Sequence, residues 1–251
     1  MILQTIRKEQ PLIHCMTNYV VANFQANGLL AIGASPVMAD EVQEVEQMVS
    51  IASALLINIG TLNERTKESM FLAGKKANAI GIPVILDPVG VGATSYRKET
   101  VQQLLAEVKF VLIRCNIGEL AAIANVNWQQ KGVDSGNGSI ALSDEAKKIA
   151  KQYNCIVIVT GEKDFITDGT QSYWIDGGHE KMTNITGTGC LLSAICSAAF
   201  VVSDEPFIQL TETLRIYKKI AENAKLTTQY IGDFQITILN ELNRLSKEGA
   251  K

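Results

Sequence analysis

The sequence predicts an α/β protein whose central sheet is mainly parallel. Short apolar segments with the length of buried strands alternate with longer helical patterns, which is typical of βαβ units. Polar residues follow several of these strands directly, at Asn58, Asp87, Asn116 and Thr160. No internal repeat, low-complexity tract or linker interrupts the 251 residues. We therefore expect a single domain over residues 1–251.

In the first half of the chain, elements are predicted from apolar spacing and from residues that begin or end helices. Thr17 and Asn18 are good helix caps, and Gly33 suits the end of the helix that would follow. The predicted elements are a strand or loop over 11–18, a helix over 19–32, a strand over 35–39, an amphipathic helix over 40–53, a strand over 55–59 and a helix over 62–79.

The second half continues the alternation and then becomes helical. Its predicted elements are strands over 83–86, 110–113 and 155–159, and helices over 98–107, from 119 to about 125, 142–153, 190–202, 206–231 and 234–246. Residues 127–140 are rich in Gly, Asn and Ser, which predicts a mobile loop before a helix that begins near Ser143. Asp168-Gly169 indicates a hairpin within residues 165–175.

Composition excludes several classes of protein. A hydrophobic content of 47% and a charged content of 20% are ordinary for a globular enzyme with a sizeable core. The net charge of −3 indicates no broad nucleic-acid surface. Five cysteines without a Cys-x-x-Cys pair argue against a disulfide framework or zinc site and favour a reducing cytoplasm. Charges at residues 7–9 precede any long apolar run, so we expect no signal peptide.

Two long segments, residues 11–39 and 184–202, contain no Asp, Glu, Lys or Arg. The first carries several amide side chains, and the second has only about twelve mainly apolar residues, short of the roughly twenty that cross a membrane. We therefore expect no membrane partner. Both segments should instead be buried within the protein or at a contact between subunits.

The stretch Asn184-Ile-Thr-Gly-Thr-Gly-Cys190 leads directly into a predicted apolar helix. Its two glycines, Gly187 and Gly189, allow a ligand to approach the backbone closely. The helix offers unpaired N–H groups and the positive end of its dipole, so a phosphate fits there. Cys190 lies at the same point, where a helix N-terminus lowers the pKa of a thiol. The alternative is a capped, buried helix with a small core cysteine.

Asp87 and Glu119 each follow a predicted strand, and carboxylates with water and phosphate oxygens suit Mg²⁺. The alternative is that Asp87 only begins the turn before Pro88 and that Glu119 only caps the next helix. The carboxyl ends of parallel strands share one edge of the sheet, where ligands bind in such folds. We therefore expect the site at this edge, facing the helix after Cys190.

Other phosphate and thiol chemistries are less well supported. Neither Gly-x-x-x-x-Gly-Lys-Ser/Thr nor Gly-x-Gly-x-x-Gly occurs, which disfavours a P-loop protein and a dinucleotide enzyme. Cys190 is open to three interpretations: a covalent nucleophile, a general base or a core thiol. A nucleophilic cysteine needs a nearby base, and the histidines available are His14 and His179.

Six segments, taken together and in order, resemble the hydroxyethylthiazole kinase family, the ribokinase-like thiazole-salvage kinases of thiamine biosynthesis. They are Pro11-Leu-Ile-His-Cys-Met-Thr-Asn18, Gly33-Ala-Ser-Pro-Val-Met-Ala39, Asp87-Pro-Val-Gly-Val-Gly-Ala93, Ile113-Arg-Cys-Asn-Ile-Gly-Glu119, Val159-Thr-Gly-Glu162 and Thr186-Gly-Thr-Gly-Cys190. The cysteine is the most specific feature, because most ribokinase-like kinases carry an aspartate base at that point.

The resemblance implies a three-layer α/β/α fold and ATP-dependent, Mg²⁺-assisted phosphorylation of 4-methyl-5-(2-hydroxyethyl)thiazole. It implies that Cys190 takes the place of the catalytic base. The other implied roles are contacts of Met38, Gly187 and Asn18 with the thiazole, of Arg114, Thr160 and Gly189 with ATP, and of Asp87 and Glu119 with the metal. A homotrimer with the thiazole pocket at the subunit contact is implied as well, which would explain the uncharged segment 11–39.

The chain departs from the family pattern at Cys115, where a small residue is expected, and at Cys15. Neither residue has an implied role. Three alternatives remain at this stage: a kinase for another heteroaromatic alcohol such as hydroxymethylpyrimidine, a binding protein that kept the fold without catalysis, and an enzyme with Cys190 as covalent nucleophile. The first would prefer a different alcohol, the second would bind ligands without producing ADP, and the third would form a covalent adduct at Cys190.

Overall fold

A computed structural model describes residues 1–126 and 136–248. Within them, eight strands form one sheet in the order β2-β1-β3-β4-β5-β6-β7-β8. The strands are Leu12–Met16 (β1), Ser35–Val37 (β2), Ala54–Asn58 (β3), Val84–Asp87 (β4), Leu112–Asn116 (β5), Ile156–Thr160 (β6), Asp164–Thr167 (β7) and Ser172–Ile175 (β8). All pairings from β2 to β6 are parallel, and β6–β7 and β7–β8 are antiparallel. The predicted mainly parallel sheet is confirmed.

Helices cover both faces of the sheet, which confirms the three-layer architecture. The helices of the described residues are Ile2–Glu9 (α1), Ala22–Ile32 (α2), Val45–Ile51 (α3), Glu64–Ile80 (α4), Ser95–Glu107 (α5), Ile117–Ile123 (α6), Gly136–Tyr153 (α7), Thr188–Val201 (α8), Pro206–Thr227 (α9) and Ile231–Lys247 (α10). A short 3₁₀ turn covers Glu180–Asn184.

Two hydrophobic cores lie on the two sides of the sheet because successive side chains of a strand point to opposite faces. On β3, Leu56 joins the core made with α1, α2 and α8–α10. Its neighbours Leu55 and Ile57 join the core made with α3–α7. Helix α8 is buried almost throughout, which explains why residues 184–202 carry no charge.

The predicted hairpin is confirmed, with Gly169 at φ 90° between β7 and β8. Because two antiparallel pairings separate β6 from β8, these two strands run in the same direction. Their carboxyl ends, at Thr160 and Ile175, therefore lie at the same edge of the sheet. This edge also receives the ends of β1 and β3–β5, where the polar residues occur.

Several predicted boundaries were wrong. Helix α1 was not expected, because its charged residues masked the buried spacing of Ile2, Leu3 and Ile6. Helix α2 begins at Ala22 rather than at residue 19, with Val21 as its N-cap. Asn18 does not cap the helix itself; its Oδ1 accepts a hydrogen bond from Val21 N at 3.2 Å and so forms the turn before it.

Two further helices have different starting points from those expected. Helix α3 is only Val45–Ile51, because a turn occupies residues 42–44 before it. Helix α7 begins at Gly136, so Ser143 does not start it and residues 136–140 are helical rather than part of a loop. The rest of the predicted mobile loop, residues 127–135, lies outside the described residues. In the described part of the chain, no helix has the length and apolar character needed to span a bilayer.

Candidate active site

Asp87 lies at the centre of a polar network where β4 ends. Its Oδ2 accepts hydrogen bonds from Asn58 Nδ2 at 2.9 Å and from Ser193 Oγ at 2.8 Å. Its Oδ1 lies 3.6 Å from Arg114 Nη1 and has no hydrogen-bond partner among the described residues. Burial raises the pKa of Asp87 to about 6, against the lowering effect of Arg114. Near neutral pH this carboxylate is therefore mostly ionised, and one of its oxygens can accept a further ligand.

The Glu119 carboxylate accepts hydrogen bonds from the backbone and also adds negative charge to the site. Its Oε1 accepts Gly90 N at 2.9 Å, and its Oε2 accepts Asn116 N at 2.8 Å. Asn116 Oδ1 in turn accepts Glu119 N at 2.9 Å, which completes a capping box at the start of α6. The capping alternative is thus correct for the contacts of Glu119. Its negative charge still raises the pKa of Asp87, which indicates that the two carboxylates act on the same region.

The donor set fits a hydrated magnesium ion better than a closed metal cage. Among residues 1–126 and 136–248, no group of three or more His, Cys, Asp or Glu side chains could enclose a metal. Mg²⁺ retains several waters and commonly binds one or two carboxylates together with substrate phosphates. The unpartnered Oδ1 of Asp87, with Glu119 nearby, matches that requirement.

Arg114 connects the carboxylates to the start of α8. It is buried, pairs with Asp87 and donates a hydrogen bond from Nη2 to Thr160 Oγ1 at the end of β6. A Cβ atom at Gly189 would lie 2.6 Å from Arg114 Nη2, so the guanidinium rests directly against the first turn of α8. The first N–H groups of that helix have no intrahelical partner. A positive side chain and unpaired N–H groups therefore meet at one point, as an anion site requires.

Gly187 is required for a different reason from the one expected. It is the N-cap of α8 with φ 94°, a left-handed conformation that side chains rarely adopt. A Cβ atom at this position would lie 2.6 Å from Val21 Cγ1, next to α2. Gly187 was expected to leave room for a ligand, but a side chain at this position would meet the entry to α2 instead.

Cys190 is half-buried and lies within 3.7 Å of Asn18 Nδ2, which also donates to Asn58 Oδ1 at 2.9 Å. Burial, reinforced by the charge of Asp87, raises the pKa of Cys190 to about 12. The expectation that the helix N-terminus lowers this pKa was wrong, because desolvation of the thiolate outweighs the favourable end of the helix. At neutral pH Cys190 is a neutral thiol.

The two histidines are engaged elsewhere. His14 is buried on β1, and its Nε2 lies 2.7 Å from Ala39 O. His179 Nδ1 accepts a hydrogen bond from Lys181 N at 3.2 Å, at the start of the 3₁₀ turn. In the parts of the chain that the structure describes, neither ring is hydrogen-bonded to Cys190. This arrangement does not support a cysteine nucleophile activated by histidine.

A cleft with a volume of about 970 Å³ opens at the shared strand edge, beside the start of α8. Arg114, Thr160 and Gly189, the three residues predicted to contact ATP, all line it. Its volume lies at the upper end of that of sites for drug-sized ligands. The structure therefore brings these three residues together around a space large enough for a nucleotide.

The residues predicted to contact the thiazole lie outside this cleft. Gly187 lies against Val21, and Cys190 lies near Asn18. The first turn of α8 therefore presents Gly189 to the cleft, and Gly187 and Cys190 to a second region beside Asn18 and Val21. Met38 follows β2 and is only partly buried against the core shared with α2. Asn18, Gly187 and Cys190 are thus brought into one region.

Sequence reasoning missed two residues of the polar network. Ser193 follows Cys190 by three residues, so helical spacing places both on one face of α8, and this was the available signal. Asn58 was recognised as a polar residue after a strand but received no role. It links Asn18 to Asp87 and so joins the two regions on either side of the first turn of α8.

Comparison with known proteins identifies the family. The model of the hydroxyethylthiazole kinase family matches residues 3–248. The chain is 70% identical over 249 residues to a hydroxyethylthiazole kinase of Lysinibacillus sphaericus, covering 99% of this chain and 98% of that protein. A solved structure of the corresponding Pyrococcus horikoshii protein is 35% identical, with a TM-score of 0.88, and the match covers 97% of this chain and 91% of that one.

A more distant likeness concerns the fold alone. A ribokinase-like superfamily protein from Enterococcus faecalis is 11% identical, with a TM-score of 0.70 over 96% of this chain and 89% of that one. The overall fold is thus ribokinase-like. Because the family match extends over nearly the whole sequence, the chain belongs to the hydroxyethylthiazole kinase family.

Proposed function

We propose that the protein transfers the γ-phosphoryl group of ATP to the hydroxyl of 4-methyl-5-(2-hydroxyethyl)thiazole, producing its monophosphate for thiamine salvage. The observation that carries the proposal is the position of the first turn of α8. Its Gly189 borders the large cleft, and its Cys190 lies beside Asn18 in the neighbouring region. A phosphoryl group at this turn would lie between a nucleotide and an acceptor alcohol.

We assign the cleft to ATP, with its phosphates at the start of α8. Arg114 supplies a buried positive charge there. Because Gly189 has no side chain, the Arg114 guanidinium can lie against the first turn of α8. Thr160 holds Arg114 in place through its hydroxyl oxygen. Phosphoryl transfer depends mainly on positioning and charge neutralisation, which these groups supply together with the N–H groups of α8.

We assign Mg²⁺ to Asp87 and Glu119, held largely through water. When bound, the ion would neutralise charge on the ATP phosphates. Asn58 and Ser193 orient the Asp87 carboxylate by donating to Oδ2, which leaves Oδ1 directed at the remaining ligand. Glu119 contributes negative charge while its oxygens also fix the backbone at Gly90 and Asn116.

We assign the acceptor alcohol to the region of Cys190, Asn18, Gly187 and Met38. Cys190 takes the proton of the alcohol late in the transfer, when the bond to the phosphoryl group is nearly formed. A neutral thiol has no capacity for this proton, so the accepting form is the thiolate, which ends the transfer as the thiol; it is a small fraction near neutral pH because burial raises the pKa of Cys190 to about 12. Asn18 holds the sulfur from one side, because its Nδ2 lies 3.7 Å from Sγ.

We further propose that the thiazole pocket is completed in a homotrimer by a neighbouring subunit. Tyr19 is 79% exposed and Val20 is 61% exposed, directly after Asn18 in the uncharged segment. Two adjacent apolar side chains in contact with water, next to the acceptor region, favour a protein contact at this place. We include Met38 in this pocket because it follows β2 and is only partly buried.

A coupled assay of ADP release tests the function. MgATP is supplied with hydroxyethylthiazole, with hydroxymethylpyrimidine or with no alcohol, and kcat/KM is determined for each. We expect ADP release that depends on the thiazole alcohol and a kcat/KM at least about a hundredfold above that for the pyrimidine, a discrimination of about 3 kcal/mol. Preference for the pyrimidine would instead assign the protein to another heteroaromatic alcohol. Binding of ligands without any ADP release would favour a binding protein.

A further inference from the structure

The turn between β6 and β7 forms one rim of the nucleotide cleft. It runs from Thr160, which contacts Arg114, through Gly161 and Glu162 to Asp164. Gly161 N donates to Asp164 Oδ1 at 3.0 Å, which closes the turn. Gly161, Glu162 and Lys163 are themselves exposed, so the shape of this rim depends on contacts made beneath it.

Lys218 of α9 lies beneath the turn and makes three polar contacts with it. Its ammonium donates to Gly161 O at 3.1 Å and Glu162 O at 2.8 Å, and it pairs with Asp164 Oδ1 at 3.1 Å. Only 8% of the Lys218 side chain and 6% of the Asp164 side chain are exposed. A lysine ammonium has three protons. The three acceptors use all of them, so Lys218 has none left for a phosphate.

The neighbouring residue on α9 contacts a second part of the cleft lining. Tyr217 is buried, and its hydroxyl donates to Thr188 O at 2.8 Å in the first turn of α8. Consecutive residues of a helix point about 100° apart. Tyr217 and Lys218 therefore fix the start of α8 and the β6–β7 turn to one rigid element, and this sets the width of the cleft.

We propose that Lys218 is a positioning residue for the nucleotide, acting through the β6–β7 turn and Asp164 rather than by contact with the phosphates. The proposal rests on the assignment of the cleft to ATP made above. Without Lys218, the carbonyls of Gly161 and Glu162 lose their shared donor, and the rim loses its defined position. Nucleotide binding must then also order the β6–β7 turn, which weakens the affinity for the nucleotide. The acceptor region beside Cys190 is unaffected.

Lys218→Met alone leaves the carboxylate of Asp164 buried without its partner, which can impair folding. A double variant, Asp164→Asn with Lys218→Met, removes both charges and keeps an oxygen that can accept Gly161 N. The control is Lys225→Met, because Lys225 lies about two turns further along α9 and is exposed. Thermal unfolding of each variant establishes that it is folded before binding is measured.

The experiment is titration calorimetry of MgADP into wild type, both Lys218 variants and the control. We expect the Kd of MgADP to rise at least about tenfold in both Lys218 variants and to stay within about twofold in Lys225→Met. In steady-state assays the KM for ATP should rise with it, and kcat at saturating ATP should fall by less than about threefold.

A folded double variant that binds MgADP as tightly as wild type would overturn the proposal. A loss of thermal stability with no change in the KM for ATP would also overturn it, because this is the result of a purely structural role. If wild type itself fails to bind MgADP, the assignment of the cleft to ATP is wrong instead. The two failures are therefore distinguishable.

Discussion

At the scale of single residues, the carboxyl group of Asp87 is fully buried. Its pKa is raised from 3.8 to about 6, chiefly by burial. The folded protein therefore binds this proton more tightly than the unfolded chain does. As the pH rises from about 3 to about 7, ionisation of Asp87 lowers the free energy of unfolding by about 3 kcal/mol. The negative charge of Asp87 at neutral pH therefore destabilises the folded protein, so it serves the site rather than the stability of the fold.

Asp87→Asn should reveal this cost. We expect the stability of the variant relative to wild type to increase by about 2.4 kcal/mol between pH 4 and pH 7.5, since the amide cannot ionise. Urea unfolding at both pH values, in the presence of a chelator, measures the difference. Asp204→Asn, at an exposed position, serves as the control. A stability difference between Asp87→Asn and wild type that does not change with pH would show that Asp87 carries no such cost.

Cys190 permits a second test, based on the rate. With a pKa of about 12, its thiolate fraction rises about tenfold per pH unit near neutrality. If the thiolate accepts the proton, kcat should rise between pH 7 and 9, and Cys190→Ala should lower kcat by about 10²–10⁴-fold. Cys190→Asp should retain activity without that rise, because a carboxylate is already ionised over most of this range. A Cys190→Ala variant as fast as wild type would remove the residue from the chemistry.

Residue types after strands, together with the family resemblance, indicated some of the side chains that meet, but not their ionisation. Asp87, Arg114 and Thr160 were predicted from their positions and the family resemblance, and the structure places them in contact. The direction of the Cys190 pKa shift was predicted wrongly, because it depends on burial in the folded protein and on the charge of Asp87. These are tertiary properties that the order of residues along the chain does not display.

Among the elements, the first turn of α8 combines two glycines that serve different purposes. Gly189→Ala should displace the Arg114 guanidinium, whereas Gly187→Ala should strain a left-handed backbone and press on Val21. We expect Gly187→Ala to lower stability by at least about 1 kcal/mol. Gly189→Ala should raise the Kd of MgADP by more than about tenfold, because Arg114 leaves the anion site.

Gly232→Ala is the matched control for both glycine variants, because it lies in α10 with no atom within 4 Å of the added Cβ. It should raise stability by about 0.5–1 kcal/mol, as expected for alanine in a helix. Urea unfolding and calorimetry of the three variants provide the comparison. Unchanged MgADP binding by Gly189→Ala would refute the anion site.

Most elements were predictable, but their ends were less so. Buried strands such as β3 and β6 appear as apolar runs, and Gly33 and Gly81 mark the ends of α2 and α4 through their positive φ. The start of α2 at Ala22 was not predictable from Asn18, because its side chain bonds to a turn that precedes the helix. Amphipathic α1 was missed because its buried residues are few and its charges are conspicuous.

For the molecule as a whole, the exposed pair Tyr19 and Val20 predicts an assembly that completes the acceptor region. Val20→Asp should dissociate the proposed trimer in a sedimentation experiment and raise the KM for the thiazole alcohol, because a charge cannot be buried there without a partner. MgADP binding should not change. Leu226→Asp is the control, since Leu226 is 81% exposed near the end of α9. An active wild-type monomer would contradict the shared pocket.

The most direct test of the phosphotransferase account measures both products in one quenched reaction. Wild-type protein, MgATP and hydroxyethylthiazole are incubated, ADP is quantified, and the thiazole product is identified by mass. The account predicts equal amounts of ADP and of thiazole carrying one added phosphoryl group, with both products reduced together in Gly189→Ala. ADP formed without phosphorylated thiazole, or phosphorylated thiazole formed as readily when Gly189 is replaced, would contradict transfer at the first turn of α8.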